Sequence, residues 1–369
     1  MKKIGSLLLA LAMMCVCVNA LGELGFAEIK KDNVNVRESA GGKTLWQLDS
    51  PQSVYVYEEK KVGDHLWCHV STYIGKNPKT GWIRGDMLRF LSEEFYDIVD
   101  VAASTNYVLG IRSDGSVAIM GDDMRHSPCI ETVRTWKNMK QVCSHSVGVQ
   151  GITNDGVVRA VGRQKNLEGI KANKICGRYA YPIDKNGEFA FDEWNDAWSW
   201  DTTEETDILR GLNLFEVSGT EMTIAAALTE EGEIFLFGTD DPLEESSWTR
   251  WIDEMSFDNG PYTDIDQYHM TFVALRADGR VEADCGHDGA TVNTDSWENV
   301  VKVAAGYASV MGLKGDGTVY FSGADKAQKH QVEAWSGIVD IAGGQDFCVG
   351  LKEDGTVVMA GHYHESYFR

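Results

Sequence analysis

"LKEDGTVVMAG", residues 351–361, reads as the end of one strand, a tight turn and the start of a second strand. Asp354-Gly355 sits between apolar positions that alternate with polar ones. Asp-Gly tolerates the positive φ that a two-residue hairpin turn demands. Nearly the same text stands at 313–323, "LKGDGTVYFSG", and at 111–121, "IRSDGSVAIMG". Aligning the turn glycines gives Gly115, Gly156, Gly187, Gly232, Gly279, Gly317 and Gly355, spaced about 40 residues apart. Asp, Asn or Glu precedes each of them. Four residues before each glycine stands Ile or Leu, and two after it Val, Ile or Phe. Period-two alternation on both sides of a tight turn specifies an antiparallel hairpin with one buried face.

A third strand precedes the hairpin, as in "VDVAAS" at 99–104, "VKVAAG" at 301–306 and "VDIAGG" at 339–344. A bulky residue opens most repeats, among them Phe95, Trp136, Trp297 and Trp335. "QVEA" at 331–334 is expected to add an outer fourth strand. One such unit cannot bury both faces of its sheet, but a ring of them can. The expected fold is therefore all-β, with a seven-bladed β-propeller over residues 95–369. The third repeat, "NKICGRYAYPI" at 173–183, departs from the pattern, so six blades with an irregular segment at 168–195 is the alternative. The eight residues after Gly361 are a candidate clasp between the last blade and the first.

Residues 28–91 have a different texture: short β runs split by Gly, Asp and Lys turns. They carry "NVNVR" at 33–37, "VYVYEEKKVGDHLWCHV" at 54–70 and "GWIRGDML" at 81–88. That succession resembles the bacterial SH3-like domain, a small barrel. The resemblance implies an accessory module that binds peptidoglycan or a cell-wall peptide. Glu38-Ser39-Ala40 replaces the Ser-Gly-Pro usual in that family. Trp67 and Trp82 fall at core positions. Trp46, Tyr55, Tyr57 and Tyr73 are the candidates for a ligand groove.

The line "IVDIAGGQDFCVGLKEDGTVVMAG" resembles the regulator-of-chromosome-condensation repeat, especially its short bacterial form. The resemblance implies a seven-bladed propeller. That superfamily includes a nucleotide-exchange factor and a secreted propeller that inhibits β-lactamases.

Composition narrows the function. Of 369 residues 43% are hydrophobic, ample for two domains and their cores. Net charge is −22, unevenly spread: residues 23–92 hold 10 basic and 9 acidic side chains, residues 93–369 hold 22 and 47. Charge of that sign repels phosphate backbones, so nucleic acid is not an expected partner. "MKKIGSLLLALAMMCVCVNA", residues 1–20, has the basic start, apolar stretch and small-residue end of a signal peptide, with an uncleaved anchor as the alternative. A secreted or wall-associated extracellular protein is expected, with no membrane span after cleavage. Six cysteines then remain, Cys68, Cys129, Cys143, Cys176, Cys285 and Cys348, and none forms a C-x-x-C pair. Cys143 and Cys348 fall in repeat positions held elsewhere by Ala and Val, as expected of core thiols.

No nucleophile-elbow, zinc-protease, Walker or dinucleotide pattern occurs. "DCGHD" at 284–288 and "HYHES" at 362–366 read as exposed polar loops. No catalytic residue, metal or cofactor is assigned, and the chain is expected to bind rather than catalyse. A partner-binding propeller face is expected in the loops after the inner strands: Asn106, Tyr107, His145, Arg178, Tyr179, Tyr268, His269, Tyr307, Asp346 and Phe347. A second patch lies in the insertions at 191–205 and 247–262, with Trp194, Trp198, Trp200, Trp248 and Trp251. The expectation is an exported cell-wall-associated protein whose propeller meets an extracellular protein or glycan. The alternatives are a secreted inhibitor acting through the propeller face and a glycan hydrolase.

Overall fold

The computed structural model describes residues 25–361, apart from 51, 75–76, 106, 122–128, 146–147, 163–164, 178–180, 189–208, 210, 220–223, 239–256, 258, 288–289 and 325. The signal-like segment 1–20 and the tail 362–369 lie outside the described residues. The chain divides into two compact units, one ending at Glu93 and one beginning at Glu94.

The first unit is one antiparallel sheet of seven strands: β1 (Gly25–Ile29), β2 (Val34–Arg37), β3 (Thr44–Leu48), β4 (Ser53–Val62), β5 (His65–Ile74), β6 (Asn77–Arg84) and β7 (Leu88–Phe90). The strand order is β3-β2-β6-β5-β4-β1-β7. Alternation decides which side is core. Val54 and Val56 turn inward with Cys68, Val70 and Ile83, while Tyr55 and Tyr57 turn outward.

Among its described residues the second unit holds seven small sheets. The first is Ile98–Ala103, Tyr107–Arg112 and Val117–Gly121. The second is Met139–His145, Gly148–Thr153 and Val158–Gly162. The third has two strands among the described residues, Lys174–Cys176 and Tyr181–Ile183. The fourth is Leu214–Gly219, Ile224–Thr229 and Ile234–Gly238. The fifth is Tyr262–Tyr268, Thr271–Arg276 and Val281–Cys285. The sixth is Val300–Gly306, Ser309–Lys314 and Val319–Gly323, and the seventh Ile338–Gly343, Phe347–Lys352 and Val357–Gly361. Each is an antiparallel meander.

One hydrogen bond repeats at every junction. The first residue of an inner strand, or in the third sheet Ala172 two residues before it, donates its N–H to the turn-glycine carbonyl of the preceding sheet. Met139 bonds Gly115 at 2.9 Å, Ala172 Gly156 at 3.0 Å, Leu214 Gly187 at 2.8 Å and Tyr262 Gly232 at 2.9 Å. Val300 bonds Gly279 at 3.1 Å and Ile338 bonds Gly317 at 3.0 Å. The series returns to its start: Ile98 donates to Gly355 at 3.1 Å. The seven sheets thus close a ring, and the unit is a β-propeller. Among the described residues, the joint between the last sheet and the first is made by the Ile98 N–H and the carbonyl of the turn glycine Gly355. Gly355 has φ +79°, and a Cβ there would lie 3.1 Å from the Asp97 Cα, so no other residue fits without strain.

The bulky residue that opens a repeat is received by a glycine in the middle strand. A Cβ on Gly312 would stand 2.9 Å from the Trp297 ring, and one on Gly350 3.0 Å from Trp335. Packing then runs between neighbouring sheets. Met311, Leu313 and Phe321 of the sixth share a core with Ile338, Ile341 and Cys348 of the seventh.

The expected outer strand at 331–334 is instead part of a helix, Lys326–Glu333. Ala, Gln, Lys and Glu favour helix here. Gln328 and Val332, four apart, are buried on one side, while Lys329 and Glu333 pair on the other at 3.6 Å. All six cysteines of the described residues are free thiols. Cys348 is buried, but Cys143 is only half-buried and faces the ring's axis.

Candidate functional site

Three places in the two units gather chemistry. The first is the end of the propeller where the inner strands turn back. Four of the residues expected there as a partner surface are interior: Tyr107 is 0% exposed, His145 3%, Tyr268 6% and Phe347 1%. Tyr107 belongs to the core shared by the first and second sheets. The Tyr268 hydroxyl lies 2.6 Å from the Thr105 hydroxyl of the first sheet's loop, spanning the ring between non-adjacent sheets. Tyr268 likewise belongs to the core shared by the fifth and sixth sheets. Asp346 is half-buried. Asn106, Arg178, Tyr179, Trp194, Trp198, Trp200, Trp248 and Trp251 lie outside the described residues.

What remains exposed is a compact patch. Tyr307, 42% exposed, meets His287 with ring centroids 4.1 Å apart and His269 at 5.4 Å. The two imidazoles stack at 4.9 Å and 7°. His269 and Ala308 hold positive φ, 53° and 55°, in equivalent two-residue turns of the fifth and sixth sheets, which sets their neighbouring residues side by side. Burial lowers both imidazole pKa values, and the neighbouring His269 lowers His287 further, to about 4. The patch is therefore aromatic and uncharged near neutral pH. His287 belongs to "DCGHD", read from sequence as an exposed loop. The Thr271↔Cys285 register places it beside the turn that carries His269. A strand-register argument applied to Cys285 would have found it.

The second place is the axis. In every sheet but the third, the third residue of the inner strand is polar: Asp100, Gln141, Glu216, Asp264, Lys302 and Asp340. All but Asp340 line a channel of about 510 Å³. Inner strands of adjacent sheets diverge too far to pair, so side chains bridge their edges. Gln141 accepts from the Ile175 N–H at 3.1 Å, and Asp264 from Val303 at 2.8 Å. Asp266 accepts from Ala305 at 2.8 Å, and Ser218 from Gln267 at 2.9 Å. Lys302 pairs with Asp340 at 2.5 Å.

Burial, with Asp340 next in weight, pushes Asp100 up to about 7. Burial likewise raises Asp264 to about 6, against the pull of the Val303 N–H and Lys302. Glu216 is well above the usual carboxylate range through burial and the charges of Asp264 and Asp266. For Lys302 burial works downward, but Asp340, Asp264 and Asp100 outweigh it and hold the amine above its ordinary value. Burial thus favours the protonated form of these axial carboxyls, while the axial side chains stitch the strand edges. No group of three or more His, Cys, Asp or Glu forms a metal-binding set among the described residues.

The third place is the outer face of the first unit. Trp46 is half-buried against the core, with the Lys79 Nζ 5.6 Å from its ring. Tyr55 meets Phe26 edge-on at 5.6 Å. Tyr57, His69 and Trp82 form a ladder: Tyr57 Oη lies 2.9 Å from His69 Nε2, and His69 stacks on Trp82 at 4.8 Å. The side chain of Tyr73 lies outside the described residues. Trp67 is buried at 8% exposure, as expected, but Trp82 is half-buried in this outer ladder. The ladder thus holds one of the four expected groove residues, Tyr57. A separate pocket of about 420 Å³ opens over Trp67, lined also by Lys31, Asn33, Val34, Asn35, Arg37, His65, Arg84 and Met87.

Among the described residues no helix is long and apolar enough to cross a membrane. No protein-family model and no curated protein matches the chain. Solved structures resemble it. The ectodomain of the Physcomitrella patens receptor kinase CR4 is 13% identical, with 71% of this chain and 62% of that one covered at a TM-score of 0.40. The CRINKLY WD40 ectodomain of the Arabidopsis thaliana receptor kinase ACR4 is 15% identical, with 73% and 99% covered at 0.39. Prp20p of Saccharomyces cerevisiae, described with its binding properties to Gsp1p and histones, is 15% identical, with 72% of each chain covered at 0.36.

Proposed function

We propose that this chain is an exported binding protein of the cell wall, in which the propeller offers a docking surface to an extracellular protein. The observation that carries the docking role is the patch of Tyr307, His269 and His287. It combines an exposed tyrosine with two stacked, uncharged imidazoles, Tyr307 and His269 on hairpin turns and His287 just after a strand. Rigid aromatics with a polar edge dominate the energetics of protein interfaces. The basic and apolar order of residues 1–20 supports export. The likeness of residues 28–91 to the SH3-like module supports a wall peptide or peptidoglycan as the first unit's ligand.

Sedimentation with purified cell walls tests the wall reading. The full chain is expected to co-sediment, and a chain lacking residues 23–92 is expected to stay in solution. Equal sedimentation of both would sink the division of labour. For the propeller, Tyr307→Ala is expected to abolish capture of a cross-linked extracellular partner while leaving the thermal transition in place. The secreted-inhibitor reading uses the same patch, and a β-lactamase inhibition assay with the same variant separates it.

A further inference from the structure

We propose that the pocket over Trp67 takes the free carboxylate end of a short peptide. Lys31, Arg37 and Arg84 reach its rim, and no Asp or Glu lines it. The nearby carboxylates are engaged: Asp32 Oδ1 accepts from the Ser50 N–H at 3.1 Å, and Asp86 Oδ1 from Arg84 Nε at 2.5 Å. Arg84 thereby keeps both terminal nitrogens without a hydrogen bond among the described residues. Arg37 Nη1 donates to the Gly42 carbonyl at 2.7 Å, which fixes the guanidinium 5.8 Å from the centroid of the Trp67 ring. Lys31 and His65 make no ion pair among the described residues, and both are exposed.

The pocket thus has two halves. One is a planar fork held in place beside further cations, which suits a carboxylate. The other is an apolar floor of Trp67, Val34 and Met87, flanked by the amides of Asn33 and Asn35, which suits a small side chain and a peptide bond. Its volume lies at the lower end of the range for small-ligand sites, about 300–1,000 Å³. The proposal rests on the first unit being a binding module, but not on the wall as the source of the peptide.

The experiment is an NMR titration of the full chain with N-acetyl-alanyl-alanine as the free acid, as its C-terminal amide, and with inorganic phosphate. The free acid is expected to shift the Trp67 indole and the Asn33 and Asn35 amides saturably. The amide is expected to bind about tenfold more weakly or not at all. Arg37→Gln is expected to lose the acid–amide difference. Lys31→Gln, on an exposed side chain, is expected to weaken the acid alone and to unfold nothing. Binding of acid and amide with equal strength overturns the proposal. So does the absence of any shift, and so does phosphate competing as well as the acid. Wall sedimentation is read separately, so a wall-binding protein with an inert pocket and a peptide-binding protein indifferent to walls give different results.

Discussion

At the outer turns Asp316 and Asp354 are exposed, and each accepts hydrogen bonds from the N–H and hydroxyl of a threonine two residues on. Those bonds favour the ionised form, and both carboxyls lie below their ordinary range. Along the axis Asp100 and Asp264 also accept or share hydrogen bonds, yet burial and like charge hold them at about 7 and about 6. One residue type thus does opposite electrostatic work at the two ends of a blade. The turn aspartates favour folding when charged, and the axial ones favour it when protonated.

The sign follows from linkage. A carboxyl whose folded pKa is raised stabilises the fold below its unfolded value. It gives that stability up as pH rises from about 4 toward the folded value of about 7 at Asp100. The turn aspartates act in the other direction: their contribution is present above pH ~4 and is lost as pH falls below it. Thermal stability is therefore expected to peak on the acidic side of neutrality, and to fall on both sides for different reasons.

The comparison is broken most severely at the turn. Gly355→Val adds a Cβ 3.1 Å from Asp97 at a φ of +79°, and it strikes the joint between the last and first sheets. It is expected to cost about 2–4 kcal/mol, from backbone strain and a weakened hydrogen bond. A melting temperature equal to that of the unaltered chain would overturn the assignment of that joint. Gly317→Val, at the equivalent turn between sixth and seventh sheets, is expected to cost about 1–3 kcal/mol. The second break is at the axis. Asp100→Asn keeps the shape and removes the titration, so above pH 7 it is expected to stabilise by on the order of 1–2 kcal/mol. It should also flatten the fall in stability between about pH 4 and 7. A slope unchanged over that interval would show that Asp100 does not carry it. The smallest effect is at Asp354. Asp354→Ala removes the bonds to Thr356, and a small fall in melting temperature is expected at neutral pH that shrinks as pH falls below about 4. A fall equally large in acid would mean the carboxylate charge is not what matters there.

These differences were unequally legible in the sequence. The turn ring was written plainly, because Asp-Gly, the flanking branched residues and the 40-residue spacing are local and repeat. The axial ring was also present, at the second position of "VDVAAS", "VKVAAG" and "VDIAGG". Polar residues alternating with apolar ones there read as a solvent face, and only ring closure shows that this face is turned toward a narrow channel. The same closure hid Tyr107 and Tyr268, which look like surface aromatics until the cores between neighbouring sheets are known. The helix Lys326–Glu333 was missed because its four-residue apolar stub, "QVEA", is too short to distinguish period two from 3.6. The patch at His287 joins residues of two sheets, and no spacing within one repeat encodes that.

The repeated Gly carbonyl joint has a consequence for how the ring opens. Any six joints hold the two ends of the seventh beside each other, so its hydrogen bond re-forms at a high effective concentration. A blade boundary that breaks is presented again with its own partner before a foreign strand can diffuse in. No single boundary then behaves as a gate. The ring resists edge-to-edge capture through redundancy rather than through the strength of any one seam.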